Sequence, residues 1–352
     1  MWSLHRLISP GAIPARSATL IITCGWWSVS LKCDRKTGAH NASGRPFFTS
    51  AGQPVQLSYL CLYIGRKVLM TIHSSSEKVA GILSDEMIGH YRRDGFLHVP
   101  GMLNADEVRG YLAEAQAMFE REQMVSWDEA GGNVMDWVAD VELRSDVMRR
   151  LVLHPRITAI AEALAGNALR LFKSELLLKR QQGATDTPMH IDDFAFPLED
   201  APNTLTVWVA LVDVPVEKGC MTFLAGSHRL VSAGMASSED APPEASWEDM
   251  MMKPLQIWPD LNWSTRVTPP LRAGDCTFHH ARTVHMAGTN QTGQPRYSLA
   301  TVYTDAGARY APGHIESYAD DENMEGYLPQ SMKGLQPGDP LPNSRFPKIR
   351  SG

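Results

Sequence analysis

From Ser84 onward the apolar positions follow a helical period, and after Gly166 they change to alternation and short β-branched runs. Ser84 is a suitable N-cap. Asp85 and Glu86 fill the first turn, where the helix dipole favours acids, and Met87, Ile88 and Tyr91 form one apolar face. Gly95 stops that helix, and Phe96 to Val99 reads as a short strand closed by Pro100-Gly101. Asn104, followed by Glu107, has the form of a capping box with Asn in place of the usual Ser or Thr. The helix it opens should run to about Gln123, with Val108, Leu112, Ala115 and Phe119 on one face. A shorter helix is predicted over Ile157 to Leu164.

Strands are predicted at Leu169 to Leu178, ending near Lys179, and at Thr204 to Val214, stopped by Pro215. Others are Cys220 to Leu224, ended by Ala225-Gly226-Ser227, Cys276 to Phe278 after a Gly274-Asp275 turn, and Tyr297 to Tyr303. Many short strands with turn signals between them predict an all-β barrel or sandwich, with the upstream helices packed outside. Residues 125–141 and 231–269 read as substrate loops, carrying Trp127, Trp137, Trp247, Trp258, Trp263 and several Met. The tail from Ala311 is rich in Pro, Gly and acids and reads as irregular. The expected organisation is an extension over 1–69, a domain over 70–310 and a tail over 311–352. The domain would have a helical part at about 84–165 and a β core at about 168–306.

Composition narrows the function classes. The 352 residues are 43% hydrophobic and 20% charged, a globular balance, and a net charge of −6 gives no reason to expect a nucleic-acid partner. The charge is uneven: residues 1–76 hold eight Lys or Arg and one acid, so that segment is +7 and the remainder −13. No stretch has the uninterrupted apolar length that spans a bilayer, and no membrane partner is expected. Thr19 to Leu31 is the most apolar early stretch, with Arg6 and Arg16 before it, as in a signal or transit peptide. Met70 opens a stretch that reads like an ordinary soluble N-terminus. A start at Met70, or a disordered leader, is therefore favoured over targeting, and a cytoplasmic location is expected. The five cysteines (Cys24, Cys33, Cys61, Cys220 and Cys276) show no CxxC spacing, which fits a reduced compartment and argues against a zinc knuckle or redox motif.

The candidate chemistry begins at His190-Ile191-Asp192. In an extended segment residues i and i+2 share a face, so one imidazole and one carboxylate can be presented to a single point while Ile191 faces away. His285 is the candidate third ligand. Two His and one carboxylate on one face of an octahedral metal leave three positions open, the arrangement of non-haem Fe(II) oxygenases. An HxD alone occurs often by chance, commonly as a solvated His beside a capping Asp. Arg296, eleven residues after His285, changes the weighting. A 2-oxo acid that chelates iron through one carboxylate and its keto oxygen must bury its distal carboxylate, and a guanidinium meets that group with two parallel hydrogen bonds.

With these pieces in place the sequence resembles the phytanoyl-CoA dioxygenase family over roughly Ser84 to Asp305. The matching features are His190-x-Asp192, Trp208 eighteen residues on, Val214-Pro-Val-Glu-Lys-Gly-Cys-Met-Thr-Phe-Leu-Ala-Gly-Ser-His-Arg229, Gly274-Asp275, His285 and Arg296-x-Ser298. The combination is specific although no single piece is. The resemblance implies a mainly β fold, a double-stranded β-helix (jelly roll, cupin-like) decorated with helices. It implies Fe(II) ligated by His190, Asp192 and His285, with 2-oxoglutarate held by Arg296, Ser298 and Trp208. Lys173 and Lys179, on the strand before the HxD loop, are further candidates for the cofactor pocket. The family usually has Pro before Gly-Ser-His-Arg, whereas Ala225 stands here, which should alter a turn and not the chemistry.

The activity implied is a dioxygenase that converts 2-oxoglutarate and O₂ to succinate and CO₂ while hydroxylating, or otherwise oxidising, a small-molecule substrate. Asp192 argues against halogenation, because halogenases of this kind replace the acid with a small residue. Family substrates include acyl-CoAs, amino-acid derivatives, alkaloids and terpenoid or polyketide intermediates, and the Trp and Met of the two loops favour a mainly apolar one. Two other readings stay open: a metal-dependent hydrolase or isomerase on the same triad, which gives Arg296 no use, and a catalytically silent binding protein. His279 and His280 could compete with His285, with one lining the pocket and the other structural. Asp193 has the wrong strand parity to join Asp192, and Met189, Phe194, Phe196 and Trp258 are core or pocket candidates.

Overall fold

The computed structural model describes residues 17–24, 27–34, 38–41, 59–64, 67–72, 83–129, 131–181, 184–231, 247–312, 332 and 334–349. The chain divides into two compact units, Met1–Ser74 and Ser75–Gly352. In the first, β1 (Ser17–Cys24), β2 (Trp27–Asp34) and β3 (Gly38–Asn41) form an antiparallel sheet, and β4 (Tyr59–Ile64) pairs with β5 (Lys67–Ile72).

The second unit begins as its caps predict. In α1 (Asp85–Asp94) the Ser84 hydroxyl accepts from the Met87 N–H, and Gly95, at φ 83°, returns its own N–H to Tyr91. After β6 (Phe96–Val99), α2 (Ala105–Arg121) opens with both halves of the Asn104/Glu107 capping box in place. The segment expected to be a loop over 125–141 is instead mostly a hairpin of β7 (Val125–Glu129) and β8 (Gly132–Ala139). Its alternation, Val125 against Trp137 and Trp127 against Met135, turns tightly at Gly132, whose φ of 120° suits only glycine. Helices α3 (Val141–Arg144), α4 (Asp146–Val152) and α5 (Pro155–Ala165) complete the outer layer.

The β core comprises β9 (Leu169–Lys179), β10 (Thr187–His190), β11 (Leu198–Glu199), β12 (Leu205–Ala210) and β13 (Met221–Leu224). It continues through β14 (Arg266–Val267), β15 (Cys276–His280), β16 (His285–Ala287), β17 (Arg296–Asp305), β18 (Arg309–Tyr310) and β19 (Lys348–Ile349). A large antiparallel sheet runs β6-β15-β12-β17-β9-β8-β7, with β19 added to β9, and a smaller one runs β10-β16-β13-β14. Together they make the mainly β jelly-roll fold with flanking helices.

Strand β12 shows how the layers form. All six of its residues are buried, because both faces are covered. Leu205, Val207 and Val209 pack with the helical layer, while Trp208 and Ala210 belong to the cluster between the sheets. The strand ends at Ala210 and not at Val214, because Ala210 now bonds Gly274 and Val214 retains only an isolated bridge to Leu271.

Two other expectations are revised. The 231–269 segment contains α6 (Trp247–Met252), α7 (Pro254–Ile257) and a 3-10 turn at Pro259–Trp263. The described residues 332 and 334–349 of the tail dock firmly: Phe346 is fully buried against Phe172, and Arg170 donates to the backbone carbonyl of Leu341.

Candidate metal centre

His190 closes β10, His285 opens β16, and the two are paired across that ladder. Asp192 reaches the same point by a different route from the one strand alternation suggests. Ile191 is extended and fully buried, and Asp192 then begins a 3-10 turn, Asp192–Ala195. The turn brings Oδ1 of Asp192 to 3.6 Å from His190 Nε2 and 3.7 Å from His285 Nε2. All three donor atoms lie within 4.8 Å of one another, a grouping of metal-ligating side chains found nowhere else among the described residues.

The far side of each group is held by the protein. His190 Nδ1 lies 2.8 Å from the Pro188 carbonyl and His285 Nδ1 3.0 Å from that of Thr283. A carbonyl only accepts, so each Nδ1 carries the proton and each Nε2 presents a bare lone pair to the centre. Burial lowers both imidazoles to about 4, so they are neutral at pH 7. Burial alone would raise Asp192, but the imidazoles of His285, His279 and His190 outweigh it and hold the carboxyl well below the usual range. Its second oxygen, Oδ2, accepts from the Thr206 hydroxyl at 2.7 Å and lies 3.3 Å from His279 Nε2. The Gly-Ser-His-Arg motif braces this end from outside: the Ser227 hydroxyl donates to Leu224 and accepts from the N–H of Val284, next to His285.

At the other end of the same cavity stands Arg296, the first residue of β17 and only 2% exposed. Its Nη1 donates to the Gly219 carbonyl, and its Cζ lies 5.4 Å from the centre of the Trp208 ring. Its Nε has no partner, and among the described residues no acid forms an ion pair with it. Burial brings the guanidinium down to about 10. Ser298, two residues on and on the same face, is fully buried with an unpartnered hydroxyl. Lys179 sits directly opposite Arg296 across the β9–β17 ladder and donates to the Thr187 hydroxyl at 3.0 Å. Burial first, and then the Arg296 charge, bring its ammonium down to about 7.

A cavity of about 500 Å³ includes both the triad and Arg296 in its lining. Its walls include Trp127 and Trp137 of the hairpin, Met251 and Met252 of α6, and Phe196. Lys173 lines the cavity but not beside Arg296: it pairs with Glu175 at 3.0 Å and lies over the Phe196 ring. Trp258 packs on Phe194 in the buried core, and Trp263 is 89% exposed. The side chain of Trp247 lies outside the described residues. Asp193 turns to Arg282, away from the triad. His280 approaches the Pro202 carbonyl, whereas His279 lines the cavity.

Sequence reasoning does not single out Thr206, Thr187, Glu175 or Leu177, all of which line the cavity. Strand parity is a signal that could find Thr206, two residues before Trp208 on the same face. His279 reads in the sequence as a rival ligand or a pocket residue, and nothing local marks its reach toward Asp192.

Facing antiparallel sheets with a His-Asp-His cluster and a buried guanidinium in one cavity define the class of non-haem iron, 2-oxoglutarate-dependent enzymes. The phytanoyl-CoA dioxygenase (PhyH) family model matches residues 91–298, and the chain belongs to that family. The ectoine dioxygenase of Bordetella bronchiseptica is 26% identical over 276 residues, covering 75% of this chain and 88% of that protein. Among solved structures, the epimerase SnoN, in complex with Fe3+, alpha ketoglutarate and nogalamycin RO, is 49% identical. That match covers 76% of this chain and 98% of SnoN, with a TM-score of 0.63. The carbocyclase SnoK from nogalamycin biosynthesis is 35% identical, with 76% and 97% covered and a TM-score of 0.63.

Proposed function

We propose that this enzyme oxidises a C–H bond of a large, mainly apolar natural product of the nogalamycin type. His190, Asp192 and His285 would hold ferrous iron, and Arg296 the distal carboxylate of 2-oxoglutarate. Ser298 and Lys179 would add donors to that carboxylate, and Trp208 a wall; Lys173, paired with Glu175, would serve the substrate side. The observation that carries the reading is Arg296: a guanidinium buried in the same cavity as the His-Asp-His cluster, with no acid paired to it among the described residues. A buried charge without a counter-ion is strongly unfavourable, and a dicarboxylate ligand supplies the missing partner.

When bound, iron and 2-oxoglutarate couple the reduction of O₂, and the loss of CO₂ to give succinate, to oxidation of the substrate. The residues of the chain bind, orient and exclude water. Nδ1–H donation fixes both imidazoles, and the ionised Asp192 and the Arg296 guanidinium match the charges of the metal and of the dianion. Trp127, Trp137, Phe196, Met251 and Met252 offer a broad apolar wall suited to a multi-ring molecule, in a cavity of ordinary ligand-binding size.

Anaerobic titration with Fe(II) and 2-oxoglutarate should give a metal-to-ligand charge-transfer band, and air should then release succinate. The absence of both would remove the assignment. A hydrolase or isomerase that used the triad with Zn²⁺ or Mn²⁺, and had no use for Arg296, would need no 2-oxoglutarate. A second outcome, epimerisation, is favoured by the 49% identity to SnoN. Mass spectrometry of products from nogalamycin-type substrates separates the reactions. Gain of one oxygen or loss of two hydrogens marks oxidation, and an unchanged mass with altered retention marks epimerisation.

A further inference from the structure

We propose that His279, together with Thr206, is a positioning residue that holds Asp192 to a single metal-facing oxygen. This rests on the iron reading above. The two side chains come from directly paired positions of neighbouring strands: Thr206 of β12 faces His279 of β15 in the ladder. Both converge on the same oxygen, Oδ2, at 2.7 Å for the hydroxyl and 3.3 Å for Nε2. The other oxygen, Oδ1, is left nearly equidistant from the two ligand imidazoles.

A carboxylate can bind a metal through one oxygen or through both. Two histidines and a one-oxygen carboxylate leave three of six positions open, enough for a chelating 2-oxo acid and O₂. A carboxylate closing with both oxygens would take one of those positions. Two donors fixed on Oδ2 oppose that closure.

The environment of His279 supports a positioning role over a packing one. The ring is 1% exposed and lies 4.5 Å from the His285 ring. Its Nδ1 is buried with no partner, whereas His190 and His285 both use Nδ1 on a backbone carbonyl. Since Oδ2 only accepts, Nε2 carries the proton and Nδ1 is a bare acceptor left unsatisfied. A histidine kept only for packing would be better replaced by an apolar ring, which has no such nitrogen. The hydrogen bond to Asp192 is what the histidine retains.

The test uses the full-length protein, with Co(II) as the spectroscopic probe, added alone and then with 2-oxoglutarate under anaerobic conditions. Wild type should bind both; if it binds neither, the iron reading falls, and this inference with it. His279→Ala should weaken Co(II) binding by roughly tenfold or more, the usual scale for losing a group that orients a ligand. It should also change the visible Co(II) spectrum and weaken 2-oxoglutarate binding. His279→Gln, whose amide can donate in place of Nε2, should restore most of each. Thr206→Val, nearly isosteric, should reproduce the spectral change in part and Thr206→Ser should not, which decides the matter even if His279→Ala fails to fold. The proposal is overturned if His279→Ala keeps the wild-type spectrum and affinities. It is equally overturned if His279→Gln is as impaired as His279→Ala while Thr206→Val is silent.

Discussion

At the triad end of the cavity every polar atom of the candidate ligands that points away from the centre has a partner supplied by the fold, whereas at the guanidinium end two buried polar groups have none. His190 and His285 place their Nδ1 atoms on carbonyls, and Asp192 places Oδ2 on Thr206 and His279. Arg296 Nε and Ser298 Oγ are bare, and Lys179 faces Arg296 as a like charge. The difference follows from what each end would receive. A metal ion needs lone pairs already aimed and protons already placed, so the protein can satisfy the rest of each side chain in advance. A dicarboxylate brings its own acceptors, so donors meant for it must wait unsatisfied, at a cost in stability until it arrives.

The contrast can be broken most severely at the triad. His190→Ala and His285→Ala should each abolish tight metal binding and 2-oxoglutarate turnover, since one of only three protein ligands is lost. Metal content after anaerobic loading, together with succinate release, checks this, and retained turnover in either variant would end the ligand assignment.

At the other end, Arg296→Ala should leave metal binding intact and raise the KM for 2-oxoglutarate by roughly 100-fold, for a loss of about 3 kcal/mol from two charge-assisted hydrogen bonds. Arg296→Met keeps much of the side-chain volume and removes the charge. Removing a buried charge that lacks a counter-ion should raise the Tm of the ligand-free protein while abolishing the added stability from 2-oxoglutarate. A lowered Tm without ligand would show that the guanidinium is satisfied internally.

The Lys179 ammonium, held at about 7, makes the same end sensitive to pH. A carboxylate beside it favours the charged form, so 2-oxoglutarate binding takes up a proton above pH 7. Affinity should therefore fall with rising pH, approaching about tenfold per unit from about one unit above 7. In the ligand-free protein the sign is fixed by the lowered value. Between pH about 7 and about 10 the unfolded chain binds a proton that folded Lys179 lacks, so this group's contribution to stability rises with pH through that window. Isothermal titration across pH 6.5 to 9 checks the first statement and denaturant unfolding across pH 7 to 10 the second, each in wild type and Lys179→Met; a pH-independent affinity in wild type would remove Lys179 from the site.

The smallest effect concerns the motif itself. Ala225 stands where the family resemblance implies Pro, and its N–H donates to the Thr265 carbonyl at 2.9 Å. Ala225→Pro should remove that bond at a cost of about 1 kcal/mol, with 2-oxoglutarate binding unchanged. Denaturant unfolding measures it.

Features encoded by neighbours along the chain are legible in its pattern. Ser84, Gly95 and the Asn104/Glu107 pair set their helix ends through contacts within a few residues, and the β-branched run after Thr204 announces β12. The HxD pair, His285 and Arg296 are legible as chemistry, because a metal and a dicarboxylate require those residue types. The 125–141 hairpin reads as a loop although its alternation is present, since its Trp and Met residues suit a pocket loop equally well.

The order of residues along the chain carries the helix caps, most of the strands, the family and the residue types of the candidate site. The tertiary structure decided which oxygen of Asp192 faces the centre, that His279 and Thr206 share the other, and that Lys179, not Lys173, stands beside Arg296. It also decided that the tail returns to bury Phe346. Each of these depends on strand register and on a turn that curls where an extended chain would not. Such pairings join positions tens to well over a hundred residues apart, so no local pattern of side chains fixes them.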